Sequence, residues 1–209
     1  LSVDQQYQEE RFAERAQDPL KRWKLSPIDL KSRESYEDYG RARDLYLRVL
    51  AFARETDPGG DDEASALNNL GSIWYRLGDY VEALAHSRRS LEIRRPLRRP
   101  SGLASSMHNI GQSLQKLGQS EDALTSLREA LRIRRDIGER YEEADTLLAI
   151  ADVERERGNL REALALAEAA VSLTETLRSE MTSPDLRASF VATEQDKYGF
   201  YIDLLMRLH

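Results

Sequence analysis

The chain has 209 residues, of which 40% are hydrophobic, and it carries 31 lysines and arginines against 37 aspartates and glutamates. A net charge of -6 argues against a general nucleic-acid binder, and the absence of cysteine excludes disulfides, thiolate metal sites and a cysteine nucleophile within the chain. No apolar run reaches the ~18 residues of a membrane span, so we expect no membrane segment and a cytoplasmic location. Because Leu1 is not a methionine and no signal core follows it, we expect a piece of a longer or processed polypeptide.

Residues 1–37 are interpreted as an N-terminal helical extension. Part of it resembles a segment near the C-terminal end of family 2 polyphosphate kinases, and the match is carried by Asp18, Pro19, Lys21, Trp23, Lys24, Ser26 and Asp29. The resemblance implies a fragment of a nucleotide or polyphosphate phosphotransferase. Phosphoryl transfer, however, needs a glycine-rich loop with a lysine, and no GxxxxGK string occurs anywhere in the chain. The alternative is that Trp23 and Pro27 hold a leading helix against the repeats that follow.

A forty-residue period governs the middle of the chain. Gly78, Gly118 and Gly158 each end one amphipathic segment, and the apolar positions around them keep the same phase. This predicts three units at 64–98, 104–138 and 144–178, each of two helices, preceded by a half unit at 38–56. We call the helix before each glycine the first-type helix and the helix after it the second-type helix. Two loops are expected between units, at 57–62 and 99–102.

These residues resemble the tetratricopeptide repeats, whose pattern is a large apolar residue, then Leu-Gly, an aromatic and an alanine. The first unit matches it with Leu67, Leu70, Gly71, Trp74 and Ala83. The longer spacing is similar to that of the subclass found in kinesin light chains. The resemblance implies an all-α, right-handed superhelical solenoid of antiparallel helix pairs over residues 38–178.

A single capping helix is expected over residues 183–209. It begins at Ser183 and Pro184, which are good helix-starting residues, and its predicted apolar stripe contains Phe190, Val191, Tyr198, Tyr201, Ile202, Leu205 and Met206. This helix also resembles the leader of CHAT-type peptidase domains. The resemblance implies an effector domain beyond His209, although the catalytic His–Cys pair of such a domain is absent here.

The candidate binding residues lie on the first-type helices of the first two units, which line the concave face in this family. They are Asn68, Asn69, Ser72, Tyr75, Arg76, His108, Asn109, Gln112, Gln115 and Lys116. By resemblance to the long-repeat subclass, Asn69 and Asn109 would clamp the backbone of an extended peptide, because an amide both donates and accepts hydrogen bonds. An ordinary wet surface without a dedicated ligand is the alternative. Ala149 replaces the asparagine in the third unit.

No set of residues with catalytic or metal-ligand spacing is present, so we expect no enzyme activity, no metal and no cofactor. Two arginine clusters, at 88–99 and 128–140, are interpreted either as a basic stripe for an acidic partner or as a solvated outer face. The predicted function is a scaffold that binds a protein or peptide in the concave groove, as the regulatory part of a larger protein. A phosphotransferase fragment and a purely structural, oligomerising array are the alternatives.

Overall fold

The computed structural model describes the backbone of residues 33–208, and the side chains of that range except 33–37, 186 and 191–193. The described residues form nine α-helices and no strand. In chain order the helices are α1 (Arg33–Thr56), α2 (Asp61–Leu77), α3 (Tyr80–Leu97), α4 (Pro100–Lys116), α5 (Ser120–Asp136), α6 (Arg140–Glu156), α7 (Leu160–Glu180), α8 (Pro184–Thr193) and α9 (Gln195–Leu208). Most of the predicted N-terminal extension lies outside the described residues.

The helices pair in sequence order. The hairpins α2/α3, α4/α5 and α6/α7 are the three units, and each unit packs on the next through the contacts α3/α4 and α5/α6. Helix α1 packs on α2, and α9 packs on α7. The predicted all-helical solenoid of antiparallel pairs is therefore confirmed, with a hydrophobic core that runs along its length rather than gathering at one centre.

The glycines of the forty-residue ladder close the turns within units, as predicted. Gly78, Gly118 and Gly158 have φ of 85, 76 and 84 degrees, a region that a Cβ disfavours. The structure adds a second set between units, where Gly138 has φ of 73 degrees and Arg98 stands at the equivalent place with φ of 49 degrees. The positive φ therefore recurs at both kinds of turn, the turns within units and the turns between units, even where the residue is not glycine.

The two helices of a unit approach closely at a small residue. A Cβ placed on Gly111 would lie 2.5 Å from Cγ of Leu127 and 3.1 Å from the carbonyl oxygen of Ala123. In the third unit the same two places hold Ala151 and Ala167, both fully buried. In the third unit, alanine in place of glycine on the first-type helix is therefore accompanied by alanine in place of leucine on the second-type helix.

Both expected loops between units are shorter than predicted. Helix α2 begins at Asp61, inside the expected loop 57–62, and α4 begins at Pro100, inside the expected loop 99–102. Proline suits the first turn of a helix because it has no N–H to leave unpaired and its φ already fits.

The C-terminal region is two helices rather than the single one expected. The helical run is interrupted at Glu194, between α8 and α9. The predicted apolar stripe is also partly wrong, because Ile202 and Met206 are 54% and 76% exposed while Leu204 is fully buried. Phe190 is buried as expected. No helix within residues 33–208 combines the length and the apolar character required to cross a membrane.

Candidate functional site

The concave side of the solenoid is lined by the first-type helices. Helix α4 contacts both α2 and α6 directly, in addition to the contacts through their second-type neighbours. The corresponding second-type pairs, α3 with α5 and α5 with α7, are not in comparable contact. Since the more closely spaced helices lie on the inside of a curve, α2, α4 and α6 form the floor of a groove.

Asparagine 109 joins the first two units across this floor. Its Nδ2 donates to Oδ1 of Asn68 at 3.2 Å and to Oγ of Ser72 at 3.0 Å, both on α2. The structure therefore brings these three predicted residues together. The bonds fix the orientation of the amide, and the described contacts leave its Oδ1 available to accept a hydrogen bond.

Asparagine 69 stands one unit earlier at the equivalent position on α2. Its side chain is half-buried, and no hydrogen bond to its amide is found within the described residues. Its amide is not among the side-chain atoms that are buried without a partner, so it is open to solvent and to a ligand. Gln112, on the same face of α4, is also half-buried.

A second polar cluster joins α4 to α6 farther along the groove. Gln115 Nε2 donates to Oδ2 of Asp152 at 2.8 Å, and Lys116 Nζ lies 3.6 Å from Oε1 of Glu156. Gln115 is only 5% exposed, so its amide belongs to the contact between units and is not open to a ligand as predicted. Lys116, in contrast, remains partly exposed.

The other predicted residue with a marked environment is Tyr75. Burial raises the pKa of Tyr75 to about 12, and the neighbouring Tyr80 ring, with its centroid 5.4 Å away, adds to the effect. The phenol is thus a neutral hydrogen-bonding group at physiological pH. Arg76 beside it is exposed at the rim of the groove.

His108 lies elsewhere than predicted. Its Nδ1 is 3.4 Å from Nη1 of Arg134 and 3.3 Å from Oγ1 of Thr146, so it belongs to the packing of α4 against α5 and α6. A groove ligand would have to displace these contacts. No sequence feature indicated this position, because histidine is equally compatible with either face of a helix.

Two arginines of the predicted clusters are buried, which fits neither a basic stripe nor a solvated outer face. Arg94 and Arg134, forty residues apart, are 6% and 5% exposed. Arg94 donates to the carbonyl oxygen of Gly102 at 2.7 Å, and Arg134 donates to that of Glu142 at 2.7 Å, in each case at the start of the next first-type helix. Their identical phase was the signal available in the sequence, since a solvated face need not keep the period.

A buried lysine closes the C-terminal end. Lys197 on α9 is 7% exposed, and its Nζ lies 2.8 Å from Oδ1 of Asp145 and next to the carboxylate of Glu194. It also lies 4.6 Å from the centroid of the Tyr141 ring. Burial alone would lower the pKa of Lys197, but Asp145 and Glu194 outweigh it and raise the pKa above its usual value. Among the described residues, no group of three or more His, Asp or Glu side chains is placed to hold a metal ion.

Two family models match the chain. The one described as tetratricopeptide repeat covers residues 37–96 and 102–176, and the one described as polyphosphate kinase 2 (PPK2) covers residues 1–52. They overlap in α1. The resemblance to the first family is thus confirmed over the repeat core, and the resemblance to the second is confirmed for the N-terminal part alone.

Curated relatives match through a short stretch. A putative GDP-polyphosphate phosphotransferase of Corynebacterium glutamicum is 58% identical over 76 residues, which are 35% of this chain and 24% of that protein. ADP-polyphosphate phosphotransferase 3 of Rhizobium meliloti is 45% identical over 49 residues, or 23% of this chain and 17% of that protein. The chain therefore spans about a quarter or less of these relatives.

Solved structures support the solenoid. BtubC (BKLC) from P. vanneervenii aligns with a TM-score of 0.60 at 22% identity, over 72% of this chain and 63% of that one. A putative kinesin light chain from Podosopora anserina with nearly identical TPR-like repeats aligns with a TM-score of 0.58 at 19% identity, over 84% and 88% of the two chains. At such identities the likeness establishes the fold alone.

Proposed function

The chain belongs to the tetratricopeptide repeat family, and on that premise we propose that it is a protein-interaction scaffold whose concave groove holds an extended peptide or a partner helix. The observation that carries the proposal is the pair of equivalent amides on α2 and α4. Asn109 is oriented by Asn68 and Ser72, and the half-buried amide of Asn69 has no hydrogen-bond partner among the described residues. Two amides at one repeat spacing suit a backbone that runs along the groove.

The rest of the groove is polar and of mixed charge. Ser72 and Arg76 on α2 and Lys116 on α4 are exposed, and Gln112 is half-buried. Asp152 and Glu156 of α6 are close to Lys116, at 3.9 and 3.6 Å, which balances the charge at that end. The cationic end of the groove is therefore at Arg76, and an acidic residue of the ligand would be placed there.

A peptide-display screen against the full chain, followed by affinity measurement by calorimetry, tests the proposal. Asn69→Ala combined with Asn109→Ala should weaken the selected peptide by roughly 10- to 30-fold, since each lost hydrogen bond is worth about 1 kcal/mol. Gln119→Ala, which removes an exposed amide from the turn between α4 and α5, is the matched control. Unchanged affinity in the double variant, with an unfolding curve like that of the wild type, would reject the groove assignment.

The larger context is part of the proposal. The resemblance of residues 183–209 to CHAT-domain leaders suggests that the scaffold regulates an effector domain placed after His209. Sequencing the gene downstream of His209 checks this, because a reading frame encoding a His–Cys peptidase would support it and its absence would remove it.

A second candidate function rests on the N-terminal match to polyphosphate kinase 2 over residues 1–52. In this alternative the chain carries part of a phosphotransferase and binds a nucleotide or polyphosphate. Thermal unfolding with ATP, GTP or polyphosphate discriminates, because a ligand that binds the folded state raises the midpoint as its concentration increases. A constant midpoint at all concentrations would leave the scaffold as the function of the chain.

A further inference from the structure

A polar cavity lies between the first and second units, where α2 and α4 begin. Its volume is about 330 Å³, at the lower end of the range of about 300–1,000 Å³ that is usual for small-molecule sites. Its walls are the first residues of α4, Asp61 and Asn68 of α2, and the arginines Arg94 and Arg99. Because Asn68 also belongs to the floor of the groove, the cavity adjoins one end of the groove.

The junction between the second and third units carries larger side chains at the corresponding positions. The pairs, with the residue at the first junction given first, are Asn68 and His108, Ser101 and Tyr141, and Gly102 and Glu142. Nδ1 of His108 lies 3.4 Å from Nη1 of Arg134, which is the counterpart of Arg94. Asn68 instead accepts a hydrogen bond from Asn109 in the groove. The first junction therefore lacks the side chains that lie against the buried arginine at the second.

The charge at the two junctions differs as well. Glu139 is the N-cap residue of α6 and Glu142 lies in its first turn, and these side chains are 2% and 7% exposed. The corresponding N-cap residue of α4 is Arg99, which makes no side-chain capping bond, and the first turn of α4 has no acidic residue. The start of a helix favours negative charge. The chain supplies this charge at α6 but not at α4.

Arginines beside the cavity also lack acidic partners. Arg95, Arg98 and Arg99 are exposed and take part in no ion pair among the described residues, whereas other arginines of α3 do. Arg135, forty residues after Arg95, lies 2.7 Å from the carboxylate of Glu143. The positive charge that the protein neutralises at the second junction is therefore left without a counterion at the first.

The first turn of α4 borders the cavity with free main-chain donors. Pro100 has no N–H, and the N–H of Leu103 already donates to the carbonyl oxygen of Arg99 at 2.9 Å. The N–H groups of Ser101 and Gly102, between them, have no acceptor within the helix. Together with the guanidinium of Arg99, they are donors that suit an oxyanion.

Arg94 provides a buried positive charge next to these donors. It is 6% exposed, and its Nη1 and Nη2 donate to the carbonyl oxygen of Gly102 and the hydroxyl of Ser65. Its Nε is buried without a hydrogen bond, and the nearest carboxylate oxygen, on Asp61, is 3.7 Å away. A Cβ on Gly102 would lie 2.7 Å from this Nε, so the arginine lies directly against the start of α4. A buried cation with an unsatisfied donor favours an anion nearby.

We propose that this cavity binds the phosphate group of a small phosphorylated molecule. The phosphate oxygens accept hydrogen bonds from the N–H groups of Ser101 and Gly102 and from the guanidinium of Arg99, and Arg94 adds its charge. Phosphate suits this set better than carboxylate, because it offers three terminal acceptor oxygens to donors from several directions. The remaining volume and the carboxylate of Asp61 favour a carrier with hydroxyl or amine donors. The site does not use the amides of Asn69 and Asn109, so it is independent of the groove ligand.

Titration calorimetry of the full chain with glycerol 2-phosphate, at constant pH, tests the proposal. Saturable binding that weakens with added salt is expected. Arg99→Glu gives α4 the N-cap residue of α6 and should weaken binding by about 10-fold or more. Arg88→Glu, the control, makes the same charge change at an exposed position of α3 and should change the affinity by less than about 2-fold. Ser101→Tyr, which introduces the residue of the next junction, should also prevent binding by filling the cavity.

Three further measurements localise the site and identify its chemistry. The amide signals of Ser101 and Gly102 should shift in NMR spectra on addition of glycerol 2-phosphate. Acetate should bind more weakly than either phosphate compound, and inorganic phosphate more weakly than glycerol 2-phosphate, since it has no carrier to meet Asp61. Because Arg99→Glu leaves residues 1–52 unchanged, a nucleotide effect that depends on the polyphosphate kinase match would persist in this variant.

The proposal is overturned by any of three results. The first is a wild-type chain that shows no saturable binding of glycerol 2-phosphate. The second is an equal loss of affinity in Arg88→Glu and Arg99→Glu, which would indicate a general attraction to the basic surface. The third is acetate binding as tight as that of glycerol 2-phosphate, which would indicate a carboxylate site.

Discussion

The junctions within the array and the junction at its C-terminal end both depend on a buried cation, but they use it in opposite ways. Arg94 and Arg134 extend from a second-type helix forward to the next unit, where they donate to main-chain carbonyl oxygens and hydroxyl groups. Lys197 extends from the last helix backward to the third unit, and its partners are the carboxylates of Asp145 and Glu194. The acceptors of Arg94 in the next unit are neutral, although the carboxylate of Asp61 on α2 lies 3.7 Å from its Nε, whereas the partners of Lys197 are carboxylates.

The reversal has a cause in the third unit. The arginine position of that unit, forty residues after Arg134, is Thr174, whose hydroxyl bonds to Ala170 on its own helix. No arginine therefore extends from α7 toward α9. The cation comes from α9 instead, and Asp145 stands where the earlier units have Ser65 and Ser105. The change from serine to aspartate and the buried lysine together distinguish this junction from the two before it.

Lys197→Met should have the largest effect. Removing the ammonium group leaves Glu194, which is 2% exposed, and Asp145 without their common cation, and breaking a buried pair in this way costs about 3–5 kcal/mol. Hydrogen exchange of the α9 amides is the measurement, because the loss falls on the docking of that helix. If α9 keeps its protection in the variant, the lysine does not hold the end in place.

The same lysine predicts alkaline lability at this end alone. Because the folded pKa of Lys197 is raised, its stabilisation is complete below the unfolded value near 10.5 and is lost as pH rises through the folded pKa. Exchange in α9 should therefore increase above about pH 10.5 before exchange in α4 does. Lys197→Met should abolish this pH dependence while lowering protection at neutral pH.

Arg134→Ala should cost less, about 2–3 kcal/mol, because it removes charge-assisted hydrogen bonds to two neutral oxygen acceptors together with the packing of the arginine stem. The acceptors are the carbonyl oxygen of Glu142 and the hydroxyl of Thr146. Unfolding in urea measures the difference. Arg132→Ala, two residues away and bonded only on its own helix, should leave the midpoint unchanged. Equal losses of unfolding free energy in the two variants would show that the burial of Arg134 does not cause the destabilisation.

Gly111→Ala should destabilise by about 2 kcal/mol, because its Cβ would lie 2.5 Å from Cγ of Leu127 and the two helices would have to separate. The third unit shows the compensated pair, Ala151 with Ala167. Adding Leu127→Ala should therefore cost less in the Gly111→Ala background than it costs alone. Strict additivity of the two free energies in urea would contradict the steric account.

The fold could be predicted from the forty-residue repeat period. The phase of Gly78, Gly118 and Gly158 is a property of the whole array, so one chain sufficed to predict paired helices and their turns. The repeated phase was the only sequence sign that Arg94 and Arg134 are buried, because their burial arises from contacts with the following unit. The same limit applies to His108 and Gln115, whose partners on α6 are nearly forty residues away in sequence. The break at Glu194 was missed because no glycine or proline marks it.

Tyr198→Phe should have the smallest effect on stability. It removes a second contact between α7 and α9 and leaves Lys197 unchanged. Tyr198 donates to Glu175, and this hydrogen bond, followed by the contacts of Arg178, lowers the pKa of Glu175. A lowered carboxyl pKa contributes stability above the unfolded value near 4.5, and the contribution is lost as pH falls through the folded pKa. Glu175 is more than a third exposed, so solvent screens most of the effect. The variant should shift the acid unfolding midpoint slightly upward. Burial and the hydrogen bond to Glu175 also raise the pKa of Tyr198 to about 12, so the variant should remove the alkaline lability due to Tyr198 and keep that due to Lys197. Complete loss of the alkaline transition of α9 in the variant would show that Tyr198, rather than Lys197, controls the docking of the last helix.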